Sequence, residues 1–207
     1  AYAVAQPLDA IQRTTVYNTL VDGRPRFPYA DNPTEVYNLS IDRLDGMFAA
    51  HRIDGIDRES DEIRVLLIGD SGVWGWLLNP DQTLDACLNR SAFTTPDGRS
   101  ITAYNLGYPI MNVLKDFMIL EHALRYDPDV IVWFVTLEAL YQNNQLEHPI
   151  LQRNQAHVRD LISRYDLALD GDLLPSAPSL LERTLVGQRR ELADWLRLQT
   201  YGIAWNI

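Results

Sequence analysis

Ser71 is the residue of this sequence best placed to do chemistry. It lies in Gly69-Asp70-Ser71-Gly72, directly after the apolar run Val65-Leu66-Leu67-Ile68. A run that short and uninterrupted reads as a strand buried on both faces of a parallel sheet. The flanking glycines permit a sharp turn into the apolar, aromatic segment Val73–Leu78. Such a corner aims Ser71 out of the carboxyl edge of the sheet, where open α/β folds bind ligands. A hydroxyl there, surrounded by the N–H groups of a helix start, is a candidate nucleophile in its own oxyanion site. Simple capping of the next helix by Asp70 or Ser71 accounts for the same residues.

A serine nucleophile needs a base, and the candidates are His51, His122, His148 and His157. His51 and His157 are expected to face water, and His122 to sit on the surface of a helix. Glu147-His148-Pro149 follows the third apolar run and makes His148 the candidate base. Asp70, Asp81 and Glu138 supply oxygen ligands but lack the clustered spacing of a metal site, so no metal is expected. No phosphate-binding glycine loop is present, and no cofactor is expected. Trp74 and Trp76 beside Ser71 offer flat faces for a sugar ring, although core packing is the commoner use. Asn38-Leu39-Ser40 and Asn89-Arg90-Ser91 match the glycosylation pattern, which is frequent by chance.

The elements that must position Ser71 alternate in type. After Asn79-Pro80, Asp81 is placed to cap a helix to about Leu88. Thr94–Arg99 is a turn, and Ile101–Leu106 is the second strand. Val113, Phe117, Leu120 and Leu124 share one face of the helix that follows. Asp127-Pro128-Asp129 stops that helix, and Val130–Val135 is a third buried strand. Strand–helix–strand–helix–strand argues for a parallel sheet with right-handed crossovers. Strands are expected at about 64–69, 101–106 and 130–136, with a helix near Asn154–Arg164 and a short strand or hairpin at Leu167–Leu174. Residues 1–60, punctuated by Pro7, Gly23, Pro25, Pro28 and Pro33 with scattered Tyr2, Tyr17, Phe27, Tyr29 and Tyr37, read as an irregular arm. A short helix is expected near Ile41–Ala50, and the charged run Asp57–Glu62 as a solvated link. Residues 61–175 form the α/β core and 176–207 a helical extension.

Composition excludes several classes. The 207 residues allow one sizeable core, and 46% hydrophobic with 22% charged residues is ordinary for a globular domain. A net charge of −10 argues against nucleic acid and anionic lipid as partners. No stretch reads as a transmembrane segment. With Cys87 alone there is no internal disulfide. The chain opens on Ala1 rather than methionine, which suggests removal of an N-terminal segment and favours an extracytoplasmic location.

Val65-Leu66-Leu67-Ile68-Gly69-Asp70-Ser71 resembles the first block of the SGNH, or GDSL, hydrolases. Asn105-Leu106-Gly107-Tyr108-Pro109-Ile110 resembles their second block, an Asn-x-Gly-x-x-Gly run. The spacing and the Asp127-Pro128-Asp129 entry to the third strand also match, so the resemblance covers about residues 63–140. It implies a three-layer, flavodoxin-like α/β fold with the Ser71 strand between the other two. It makes Ser71 the nucleophile and gives oxyanion N–H groups to Ser71 and to Ile110, which stands at the second-block glycine. Asp70, Trp74, Asn105, Gly107 and Glu138 line the implied pocket.

The departures from the pattern carry equal weight. The family's third-block asparagine, an oxyanion donor, is replaced by Glu138, and a carboxylate opposes a developing oxyanion. No Asp-x-x-His occurs, and the family's last two strands are not evident, as if the domain were cut short. The resemblance implies an acyl-ester hydrolase or O-acyl transferase acting on a small-molecule or carbohydrate ester. The alternative is a catalytically degenerate domain that binds a glycan or a protein. The sequence leaves the oligomeric state open.

Overall fold

The central strand, β1 (Glu62–Ile68), is buried at every residue, because it has a neighbour on each side and helices over both faces. The computed structural model describes residues 7–29, 42–141, 145–171, 174 and 179–205. β1 pairs in parallel with β2 (Ser100–Asn105) and with β3 (Val130–Trp133), in the order β2-β1-β3. That is the arrangement expected from the sequence, with the Ser71 strand in the middle. The fold is α/β, with an open, all-parallel sheet of three strands among the described residues.

The two-residue period of β1 sends alternate side chains to opposite faces. Ile63, Val65 and Leu67 pack with Val73, Ala103 and Leu88 on one side. Leu66 and Ile68 join the larger core on the other. On the first side lies α6 (Leu84–Arg90), preceded by a 3-10 turn at Pro80–Gln82. Asp81 does not cap α6; Asn79 and Gln82 close a capping box around the 3-10 turn instead. On the second side lie α7 (Val113–Ala123), α8 (Pro149–Arg153) and α9 (Gln155–Arg164).

The arm does more than lie over the domain. It forms α1 (Pro7–Ile11), α2 (Tyr17–Leu20), α3 (Leu44–Ala49) and α4 (Arg52–Gly55). Phe27, Met47, Phe48 and Ile53 from it belong to the same core as β1 and α7. The expected strand or hairpin at Leu167–Leu174 is absent among the described residues there, which form no strand but irregular, bent chain. The tail is α10 (Arg189–Trp205), and it meets the arm: the side chains of Gln188 and Gln199 accept from the backbone N–H groups of Leu8 (2.9 Å) and Val16 (2.8 Å). Tyr2, Pro33, Tyr37, Asn38-Leu39-Ser40 and Ile41 lie outside the described residues.

Four further expectations change. Glu62 is not in a solvated link; it is buried in β1, paired with Arg64 at 2.9 Å and accepting from the Tyr104 hydroxyl at 3.0 Å. β3 is not buried: Val130, Ile131 and Val132 are 42%, 40% and 36% exposed, because β1 is its only strand neighbour among the described residues. α7 buries Leu114, Met118, Ile119 and Ala123 rather than the face with Val113 and Leu124. That helix is apolar nearly all round, so spacing selects no face; its contacts with the strand ends do. His51 is fully buried.

Candidate active site

The parallel ladder continues past the strands and closes the corner that carries Ser71. Phe134 N–H donates to Ile68 O at 2.9 Å, and Tyr108 N–H donates to Gly69 O at 2.9 Å. A Cβ on Gly69 would lie 2.7 Å from Val73 Cγ2 and 3.0 Å from Phe134 O, so only glycine fits there. Asp70 then caps the single-turn α5 (Ser71–Trp74), its Oδ1 accepting from Gly72 N–H at 2.8 Å. The capping expectation and the corner expectation are therefore both met, by different residues.

β2 clamps this turn from beneath. Asn105 is fully buried; its amide donates to Val73 O (2.7 Å) and Asp85 (3.0 Å), while its Oδ1 accepts from Gly107 N–H (3.1 Å). A Cβ on Gly107 would come within 2.5 Å of Trp74 N. Asn105 and Gly107 are thus supports of the Ser71 turn rather than pocket walls. Trp74 is buried, donating its indole N–H to Phe27 O at 2.9 Å with the Arg26 guanidinium 4.0 Å above its ring. It is core, while Trp76 is 44% exposed.

Ser71 itself is half-buried. Among the described residues, neither its hydroxyl nor its N–H has a hydrogen-bond partner, and the same holds for the N–H of Ile110. Ile110 sits at φ 72°, the left-handed region that glycine adopts freely and a β-branched residue does not. It lines a cleft of about 370 Å³ with Met111, Glu138, Tyr141, Glu147 and His148. The structure therefore brings Ile110, Glu138 and His148 together, and Ser71 is not among the lining residues.

His148 is committed elsewhere. Its Nδ1 accepts from Ile150 N–H at 3.2 Å, which caps α8, and its Nε2 faces Pro109 O at 3.1 Å. That pattern requires the tautomer with the proton on Nε2 and leaves no lone pair for a serine. Burial lowers its pKa to about 4. His51 is built in the same way: Nδ1 accepts from Ile53 N–H, and Nε2 faces Pro25 O and Asn105 O, with the pKa lowered by burial to about 3. His122 is also largely buried rather than on the surface, its ring tilted against that of Phe48 at 4.6 Å, and burial lowers its pKa to about 3. His157 lies 3.1 Å from Glu121. No histidine nitrogen is hydrogen-bonded to Ser71 among the described residues.

Two residues that sequence reasoning passed over stand directly under the corner. Lys115 is fully buried, its Nζ donating to Gly69 O (3.2 Å) and to Tyr108 O and pairing with Asp116 at 2.7 Å. Asp116 accepts from the indole N–H of Trp133 at 3.3 Å. Charged residues in the first turn of a helix ordinarily read as solvated, so no sequence signal marked them. Asn112 and Gln145 complete the frame. Asn112 Oδ1 caps α7 through Lys115 N–H (2.8 Å), and Gln145 donates to Ala139 O (2.7 Å) while accepting from Leu114 N–H (3.0 Å). The Asn112 cap was legible, being an Asn directly before an apolar helix.

Among the described residues no three His, Cys, Asp or Glu side chains converge on a possible metal position. No described helix is long and apolar enough to cross a membrane. Compared with protein-family models, with curated proteins and with solved structures, the chain matches none.

Proposed function

We propose that the Ser71 corner is an SGNH-like acyl-ester site, taking a small-molecule or carbohydrate ester, whose base comes from outside the described residues. The observation that carries this reading is the pair of unpartnered N–H groups, Ser71 and Ile110, on loops leaving adjacent parallel strands. Two such donors are what a tetrahedral oxyanion requires. The left-handed backbone of Ile110, at the position where the family has glycine, agrees with it. Glu138 lines the cleft beside Ile110 and opposes negative charge there, which weakens the Ile110 donor even with a base supplied.

The test uses p-nitrophenyl acetate with wild type, Ser71→Ala and Glu138→Asn, each with and without added imidazole. Without imidazole, wild type is expected at background, because an unassisted serine hydroxyl stays protonated. With imidazole, turnover should exceed that of Ser71→Ala, and Glu138→Asn should raise it further, since one oxyanion donor is worth about 3 kcal/mol. Robust wild-type turnover without imidazole, lost in Ser71→Ala, would place a base within the chain and overturn that part. Silence of every form, together with no labelling of Ser71 by a fluorophosphonate in the presence of imidazole, would sink the ester reading. The second reading, a glycan- or protein-binding domain, would then gain. It is favoured by the exposure of Trp76 (44%), Tyr141 (69%) and Leu137 (88%) on the loops of this same sheet edge.

A further inference from the structure

We propose that Lys115, with Asp116, is a positioning residue: it locks the exits of the three strands together and thereby sets the Ser71 and Ile110 N–H groups. The proposal rests on the reading of that corner as the site.

A fully buried ammonium is costly unless every proton finds an acceptor and a counter-charge lies close. Lys115 has two hydrogen-bond acceptors, Gly69 O and Tyr108 O, and its counter-charge, Asp116 Oδ1, lies 2.7 Å from Nζ as an ion pair. Gly69 directly follows β1 and stands two residues before Ser71. Tyr108 lies beyond β2 and two residues before Ile110. Through Asp116 the pair also holds the Trp133 indole, on the last residue of β3. One side-chain pair from the first turn of α7 therefore touches all three strand exits. Packing alone does not call for this: Leu114, Met118 and Ile119 already seat α7 in the core.

The same inventory shows what Lys115 does not do. An ammonium held by two carbonyls and a paired carboxylate has no lone pair to offer a serine, so it is not a base for Ser71. Its role is to fix backbone groups that themselves face solvent, as buried networks do beneath preorganised sites.

Lys115→Met, Lys115→Arg and Asp116→Asn test this with two readouts. The first is the backbone amide resonances and exchange rates of Ser71 and Ile110, which need no turnover. The second is the rate of fluorophosphonate labelling of the folded protein at Ser71 in the presence of imidazole as the added base. Lys115→Met is expected to move both amides while those of Leu66 and Ala103 stay in place. It should also slow labelling at least tenfold, and Lys115→Arg, which still donates, should recover part of that. Should Lys115→Met fail to fold, Asp116→Asn, which removes the counter-charge and one of the two acceptor oxygens, is expected to move the same two amides. Unmoved Ser71 and Ile110 amides in a folded variant would overturn the proposal. A wild type that never labels, with amides that do respond, would overturn the ester reading and leave the tie standing.

Discussion

Ile110 holds φ 72° while half its side chain faces solvent, so little packing repays the strain. A left-handed residue with a Cβ costs about 1–2 kcal/mol, against which glycine's extra chain entropy is about 0.5–1 kcal/mol. Ile110→Gly is therefore expected to stabilise the fold by roughly 1 kcal/mol, read as a higher urea midpoint with unchanged slope. A lower midpoint would mean that Ile110 contributes contacts that outweigh its backbone strain. The position was legible as a candidate oxyanion donor only through its alignment with a glycine. The left-handed backbone could not be read from Tyr108-Pro109-Ile110-Met111, since an isoleucine there argues against that conformation.

Elements at this sheet are held by close backbone approach on one side and left open on the other. Where β2 exits, Gly107 lies against α5 with no room for a Cβ, and the atoms it would strike belong to the backbone of Val73 and Trp74. Backbone cannot swing aside as a side chain can. Gly107→Ala should thus cost at least the 1–3 kcal/mol typical of overpacking, measured by thermal or urea unfolding. A neutral result would show that α5 shifts freely. The outer edge of β2 is closed by Asn89, whose amide donates to Ala103 O (2.9 Å) and accepts from Ala103 N–H (2.7 Å). That pairing gives the Asn89-Arg90-Ser91 motif a structural use. β3 has no such cover among the described residues, which is why a run read as a buried strand is substantially exposed.

The whole molecule is built to be sensitive to acid. His51 and His148 are buried neutral, with pKa values of about 3 and about 4, lowered chiefly by desolvation. In the unfolded chain they take up protons at about pH 6.5. Below that pH the unfolded state binds protons that the folded state refuses, so stability falls as pH drops from about 6.5 to about 4. Each histidine contributes up to about 1.4 kcal/mol per pH unit in that window. Above it neither contributes a slope. Asp42 and Asp116, raised by burial, act in the opposite sense: they gain protons before their unfolded counterparts, nearer the carboxylate range. The urea midpoint should therefore be clearly lower at pH 5 than at pH 7. His122, lowered by burial to about 3, adds the same slope, so His148→Gln, which keeps a donor and an acceptor, should remove roughly a third of the histidine contribution to the difference. Equal midpoints at the two pH values would show that these histidines protonate in the folded state.

By itself the sequence determined the alternation of strand and helix, the parallel sheet and the corner at Ser71. Those follow from local signals: continuous apolar runs such as Val65–Ile68 and Val130–Val135, glycines at the turns, and Asp127-Pro128-Asp129 as a stop. Only the tertiary structure decided which residues serve the site. His148 and His51 carry the chemistry of a base, yet both ring nitrogens of each are taken by backbone groups distant in sequence or by a cap. Asn105 and Trp74 carry polar groups suited to a pocket, yet both are buried as supports. Lys115 and Asp116 look like solvated charges, yet they lie under three strand ends. Local sequence reports what a side chain can do. Its partners and its access to solvent are set by chain segments tens of residues away, and those are fixed only when the fold closes.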